Sequence, residues 1–144
     1  MSEESDAVDR VYRELETVSL RAVSRARRMS APLSFVEHSL LSFIAANPGC
    51  RAIDIAADFS LNRSTVSRQL TGLESAGLVG VGIGEEPDGR GRPLHVTSKG
   101  EELLARSVDA NRAALAERLV DWPVESVGRL ADALNRLNTA FDGR

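Results

Sequence analysis

The chain has 144 residues, of which 42% are hydrophobic and 27% charged; this balance excludes a disordered polymer and fits one domain with a modest core, or a small module carried on extra helices. A single cysteine, Cys50, excludes an intramolecular disulfide, and no apolar run approaches the roughly 18 to 20 residues that span a bilayer, which excludes an integral membrane protein. The net charge of −3 is weak, and the polar, acidic start MSEESDAVDR lacks the basic-then-apolar order of a secretory signal, so the expected compartment is the cytoplasm.

The first periodic pattern is Val8, Val11, Leu15, Val18, Ala22 and Ala26, spaced by three or four as on one stripe of a helix, and it predicts a helix running to about Arg28. Ser34 followed by Glu37 is an S-x-x-E capping box. It opens a second helix with Val36, Leu40, Phe43 and Ile44 on the buried face and Asn47-Pro48-Gly49 as its stop. Arg51 to Asp58 forms a short third element, in which Ile55 and Phe59 lie one turn apart and Ala56 is small enough for another helix to approach closely. Asn62 is a good N-cap for a helix from Arg63 that buries Val66, Leu70 and Leu73 and ends at Gly77.

A helix, a tight turn and a second helix are thus followed by a β-hairpin. Leu78, Val79, Val81 and Ile83 read as a strand, Gly84 to Gly91 as a loop and Leu94 to Thr97 as the returning strand. A long helix resumes over about Ser98 to Leu119, Trp122-Pro123 breaks it, and Val127, Leu130, Leu134, Leu137 and Phe141 form a packing seam. The expected fold class is mainly α with a small β-hairpin wing (α+β), a winged helix-turn-helix flanked by N- and C-terminal helices.

The charge is unevenly distributed. Residues 1–9 carry Glu3, Glu4, Asp6 and Asp9, and residues 101–144 carry eight acids against six arginines. Between them, residues 10–28 hold six arginines against two glutamates, residues 51–72 three against two aspartates, and residues 88–99 three cations against Asp88. An acidic average can therefore hide a basic face, because phosphates respond to local potential.

Two stretches, IDIAADFSLNRSTVSRQLTGLESAGLV at 53–79 and PDGRGRPLHVTSKG at 87–100, resemble the MarR family. That family's pattern places S-T-V-S-R at the start of the recognition helix, L-E-x-x-G-L-V at its end, D-x-R in the wing and T-x-x-G after the second wing strand. The resemblance implies a sequence-specific transcriptional regulator, a repressor by expectation, that binds double-stranded DNA as a homodimer on a pseudo-palindromic operator. Residues 31–97 would be the DNA-binding reader, and residues 1–30 with 98–144 the helical dimerisation region of one intertwined domain. A small-molecule effector is a further implied partner, and no cofactor is expected.

The chemistry of the expected site follows from the major groove, which admits one α-helix and presents distinct donors and acceptors for each base pair. Arg63 and Arg68 can make bidentate contacts to guanine or hold phosphates, while Asn62, Ser64, Thr65, Ser67 and Thr71 can hydrogen-bond to phosphates or base edges. In the wing, Arg90-Gly91-Arg92-Pro93 resembles the core of an AT-hook, so Arg90 and Arg92 are expected in a narrow minor groove. One departure from the family is the run Leu78-Val79-Gly80-Val81-Gly82, which lacks a charged residue after the leucine-valine pair. With Gly84, its glycines suggest a flexible wing that orders on DNA.

The other readings are blander. Cys50 has no basic cluster near it in sequence to activate a thiolate, and His38 and His95 lack spaced partners for a metal. No nucleophile–base pair or phosphate-binding glycine loop appears, so an enzyme is not expected. The alternative to a DNA-binding regulator is a winged-helix module that binds only proteins.

Overall fold

A computed structural model describes residues 2–28, 32–59, 61–83 and 91–142, with the backbone alone over 22–28. In chain order the elements are α1 (Glu3–Arg28), α2 (Phe35–Ala46), α3 (Ala52–Asp58), α4 (Arg63–Ser75), β1 (Val79–Val81), β2 (Leu94–Val96), α5 (Ser98–Arg118) and α6 (Val124–Asp142). The chain divides into two compact units, Met1–Val108 and Asp109–Arg144, and α5 contributes residues to both. Among the described residues no helix is long and apolar enough to cross a membrane.

Local chemistry sets the helix boundaries of the first unit. At α2 the Glu37 N–H donates to Ser34 Oγ at 3.2 Å and the Ser34 N–H to Glu37 Oε1 at 2.9 Å, so the capping box satisfies two otherwise orphaned donors. At α4 the Asn62 Oδ1 accepts the Thr65 N–H at 2.8 Å. The other end of α4 closes with Gly77 at φ +75°, its N–H on the Glu74 carbonyl at 2.9 Å and the Leu78 N–H on the Leu73 carbonyl at 2.9 Å. That pair of bonds is a Schellman motif, with Leu73 and Leu78 supplying its buried apolar contact.

The core lies where α2, α3, α4 and the hairpin meet. Leu41, Ile44, Ile55 and Val66 are fully buried there, joined by Leu40, Leu70, Leu73, Leu78, Val79 and Leu94. Each such aliphatic contributes about 1.5–3 kcal/mol relative to exposure. Phe43 and Phe59 meet edge to face with centroids 5.7 Å apart, at the rim. Along α2 the buried face is turned from the expected one: Val36 is exposed and Leu41 is buried.

The hairpin is antiparallel with Val79 opposite Val96, Gly80 opposite His95 and Val81 opposite Leu94. Its first strand is shorter than the run 78–83 suggests. Leu78 belongs to the helix cap, and after the Gly82 N–H donates to the Pro93 carbonyl at 2.8 Å the ladder stops, because Pro93 has no N–H to return. Ile83 lies beyond the ladder and is wholly exposed. Gly80 and Gly82 are places of close approach rather than of looseness: a Cβ at Gly80 would overlap the His95 ring, and one at Gly82 would lie 2.6 Å from Pro93 Cγ. Gly84 and the loop to Arg90 lie outside the described residues.

Helix α5 begins against the end of α4. Thr97 Oγ1 donates to the Gly77 carbonyl at 2.6 Å and accepts the Gly100 N–H at 3.1 Å, and the Thr97 N–H donates to the Leu78 carbonyl at 3.0 Å. Lys99 Nζ donates to the Ala76 carbonyl at 2.9 Å, placing a cation at the negative end of α4. Gly100 is buried, and a Cβ there would overlap the Leu78 carbonyl oxygen and lie 2.7 Å from Val96 Cγ1. Replacing Gly100→Ala should therefore destabilise the fold by about 1–3 kcal/mol, read as a lower urea midpoint with an unchanged m-value. Gly72→Ala, in an α4 position where a Cβ meets nothing within 4 Å, should be neutral or stabilise by up to about 1 kcal/mol.

Candidate nucleic-acid interface

Helix α4 has two faces. Val66, Leu70 and Leu73 point into the core, while Arg63, Ser64, Ser67, Arg68 and Thr71 are exposed. Positions 63, 67 and 71 and positions 64 and 68 follow the four-residue repeat, so the expected helix residues share one outward stripe. Thr65 is half-buried at its margin.

The structure sorts these side chains by what they already do. The Ser64 hydroxyl donates to Asn62 Oδ1 at 2.8 Å, which makes Asn62 and Ser64 the two halves of the α4 cap. Thr71 Oγ1 donates to the Ser67 carbonyl at 2.9 Å, leaving its lone pairs as acceptors only. Arg63 and Arg68 are exposed and, among the described residues, neither has an ion-pair partner. The first-turn amides of Arg63 and Ser64 likewise have no acceptor among the described residues, at the helix end where backbone dipoles favour an anion. Two guanidiniums, a free serine hydroxyl and two amide donors on one stripe can bind a phosphate ester or a base edge.

Arg92 is exposed at the base of the wing, between Gly91 and Pro93, and Arg90 lies outside the described residues. The sequence gives no sign of what Arg51 does: its Nε–H donates to the Gly91 carbonyl oxygen at 3.2 Å, next to Arg92. Thr97 and Lys99 bear on the site indirectly, through the end of α4, and the T-x-x-G spacing was the signal for them.

Other candidates have structural partners. Cys50 is buried; burial, and after it the charge of Asp54, push its thiol above the ordinary range against a backbone hydrogen bond, which suits an unreactive thiol. His38 Nδ1 lies 2.8 Å from Oγ of the buried Ser107, linking α2 to α5. Among the described residues no group of His, Cys, Asp and Glu is placed to hold a metal ion.

Helix, turn, helix and antiparallel hairpin, with a polar stripe on the second helix, define a winged helix-turn-helix protein. A profile of the MarR family matches residues 31–91. The HTH-type transcriptional regulator YxaD of Bacillus subtilis (strain 168), itself uncharacterised, is 26% identical over 136 residues, 93% of this chain and 94% of that one. The fold is that of a MarR family protein from Bacillus stearothermophilus, with a TM-score of 0.82, 17% identity and 99% of each chain covered. It is also that of Streptococcus pneumoniae FabT, whose structure is a complex with DNA, with a TM-score of 0.68, 17% identity, and 97% of this chain and 98% of that one covered. Over residues 31–91 the chain is thus similar to the MarR family, and its fold is the one those proteins share.

Loss of the α4 cap tests the local geometry. Asn62→Ala removes the acceptor for both the Thr65 N–H and the Ser64 hydroxyl and should cost about 1 kcal/mol in urea unfolding, whereas Asn62→Asp should retain the cap.

Proposed function

We propose that the chain is a sequence-specific DNA-binding regulator, a repressor, that places two copies of α4 in successive major grooves of a pseudo-palindromic operator. The observation that carries this reading is the outward stripe of α4, where Arg63 and Arg68 stand exposed beside Ser67 and the helix N-terminus. Asn62, Ser64, Thr65 and Thr71 complete that surface at its cap and margins, and Arg92, with Arg90, supplies the minor-groove contact of the wing. A solved relative of the same fold bound to DNA supports the assignment. A DNA target also puts the chain in the cytoplasm, and a reader of this kind is not an enzyme.

The homodimer is supported by surfaces that the chain alone leaves bare. Every residue of α1 from Glu3 to Arg21 is exposed, including Val8, Val11, Leu15 and Val18. No residue of α6 is buried, although it carries Leu130, Leu134 and Phe141. Within the second unit an open groove of about 660 Å³ is lined by Leu115, Leu119, Trp122 and Val127, with Arg112 at its edge. Apolar stripes of this extent mark an interface, so residues 1–30 and 98–144 are the dimerisation region and 31–97 the reader. A small molecule bound to the dimer would release DNA by favouring a spacing of the two α4 helices that no longer matches the grooves.

The test begins by selecting bound fragments from genomic DNA. Arg68→Ala and Arg63→Ala should each weaken binding to the selected duplex by about tenfold or more, and each lost phosphate contact should reduce the salt slope by about one. Unchanged binding in both variants overturns the reading. Light scattering should give twice the chain mass at micromolar concentration, and a monomer overturns the twofold arrangement.

A further inference from the structure

The hairpin's last backbone bond joins Gly82 to Pro93, and the wing lies beyond it. On the β2 side Arg92 is restricted to extended backbone by the proline that follows it. Gly91, at φ +86°, is by contrast the most permissive kind of residue a chain can place before it. Arg92 would swing about Gly91 unless something held the glycine's peptide group. Arg51 holds it: the guanidinium Nε–H donates to the Gly91 carbonyl oxygen at 3.2 Å across 40 residues of sequence.

The side chain that reaches Gly91 starts from fixed backbone. The Arg51 N–H donates to Asp54 Oδ2 at 2.9 Å, in the first turn of α3. Just before it, the Gly49 N–H donates to the Leu94 carbonyl at 2.9 Å and the Leu94 N–H to the Cys50 carbonyl at 2.8 Å. Residues 49 and 50 are thus already paired to the first residue of β2, three residues after the Gly91 that Arg51 touches, and Cys50 is anchored in the core. The lever from the core to the wing base is one side chain long.

We propose that Arg51 is a positioning residue for the wing: it fixes the Gly91–Arg92 segment in the free protein, so that Arg92 meets DNA already oriented. This rests on the DNA-binding reading above and adds to it a residue outside α4 and the wing. Ordering a loose segment only on binding weakens an interface, so loss of the tether should lower affinity by a factor on the order of three to ten.

Two substitutions separate the donor from the charge. Arg51→Met removes the donor, whereas Arg51→Gln keeps an amide N–H at the same number of bonds from Cα as Nε but carries no charge. Both are compared at equal folded fraction by circular dichroism. Against a duplex recovered from the genomic selection, Arg51→Met should bind roughly three- to tenfold more weakly with an unchanged salt slope, and Arg51→Gln within about twofold of the parent. In an Arg92→Ala background the effect of Arg51→Met should vanish, since the tether acts through Arg92. Equal losses in Arg51→Met and Arg51→Gln with a reduced salt slope, or additivity with Arg92→Ala, overturn the proposal and make Arg51 a direct phosphate contact. Unchanged binding in Arg51→Met also overturns it. The free protein supplies an independent reading: ¹⁵N relaxation should show the Arg92 amide loosening in Arg51→Met and not in Arg51→Gln, and an equally ordered amide in all three overturns the tether. If the parent bound no duplex, the DNA-binding reading would fail, while the relaxation result would still decide whether Arg51 orders the wing base.

Discussion

An α-helix leaves its last carbonyl groups without partners, and at the end of α4 the carbonyls of the helix and its cap find donors on two separate pieces of chain, the glycine turn and the start of α5. The Leu73 and Glu74 carbonyls take the N–H groups of the glycine turn, the Gly77 carbonyl takes the Thr97 hydroxyl, and the Ala76 carbonyl takes Lys99. The Leu78 carbonyl, one residue on, accepts the Thr97 N–H while the backbone of Gly100 lies against it. Helix α4, the hairpin and the start of α5 are therefore joined through one set of backbone groups. Turning α5 at its N-terminus without carrying α4 along would give up several of these bonds together. That rigidity gives the stripe on α4 a defined direction.

An acidic chain is compatible with the anionic target proposed for α4. At physiological salt the Debye length is about 8 Å, so a phosphate against the first turns of α4 responds to nearby charges rather than to the total of −3. Along α4 the arginines at 63 and 68 lie toward the N-terminus and the acid, Glu74, lies at the other end. This polarity runs with the helix dipole, whose positive end is also at Arg63. Net charge therefore bears on the solubility of the whole chain, and the sign along the exposed stripe of α4 is a separate matter.

Much of the fold was legible because the controlling chemistry is local. Ser34 with Glu37, Asn62 ahead of Arg63 and Gly77 after Ser75 each act on groups within a few residues, and each does what its sequence context implies. The parts that were not legible depend on partners distant in the chain. Gly80 and Gly82 suggest flexibility until His95 and Pro93 are found in the space their side chains would fill. The α4 hydroxyls form one uniform polar list in sequence, yet Ser64 is engaged with the cap, Thr71 with the helix backbone, and Ser67 remains outward. Arg51 is one more cation in a basic segment until the chain returns and sets Gly91 beside it.

Periodicity carries a further ambiguity that bears on assembly. The stripe of α4 and the stripe of α1 have the same spacing, but Val66, Leu70 and Leu73 are buried whereas Val8, Val11 and Val18 are exposed. A three-and-four repeat says which face of a helix is apolar and leaves open what covers it. In the first unit α2, α3, α4 and the hairpin cover one another, so these elements close their own core. In α1 and α6 the apolar faces remain bare, and it is on these faces that the proposed twofold pairing rests. Bare apolar faces therefore occur in both units, on α1 in the first and on α6 in the second.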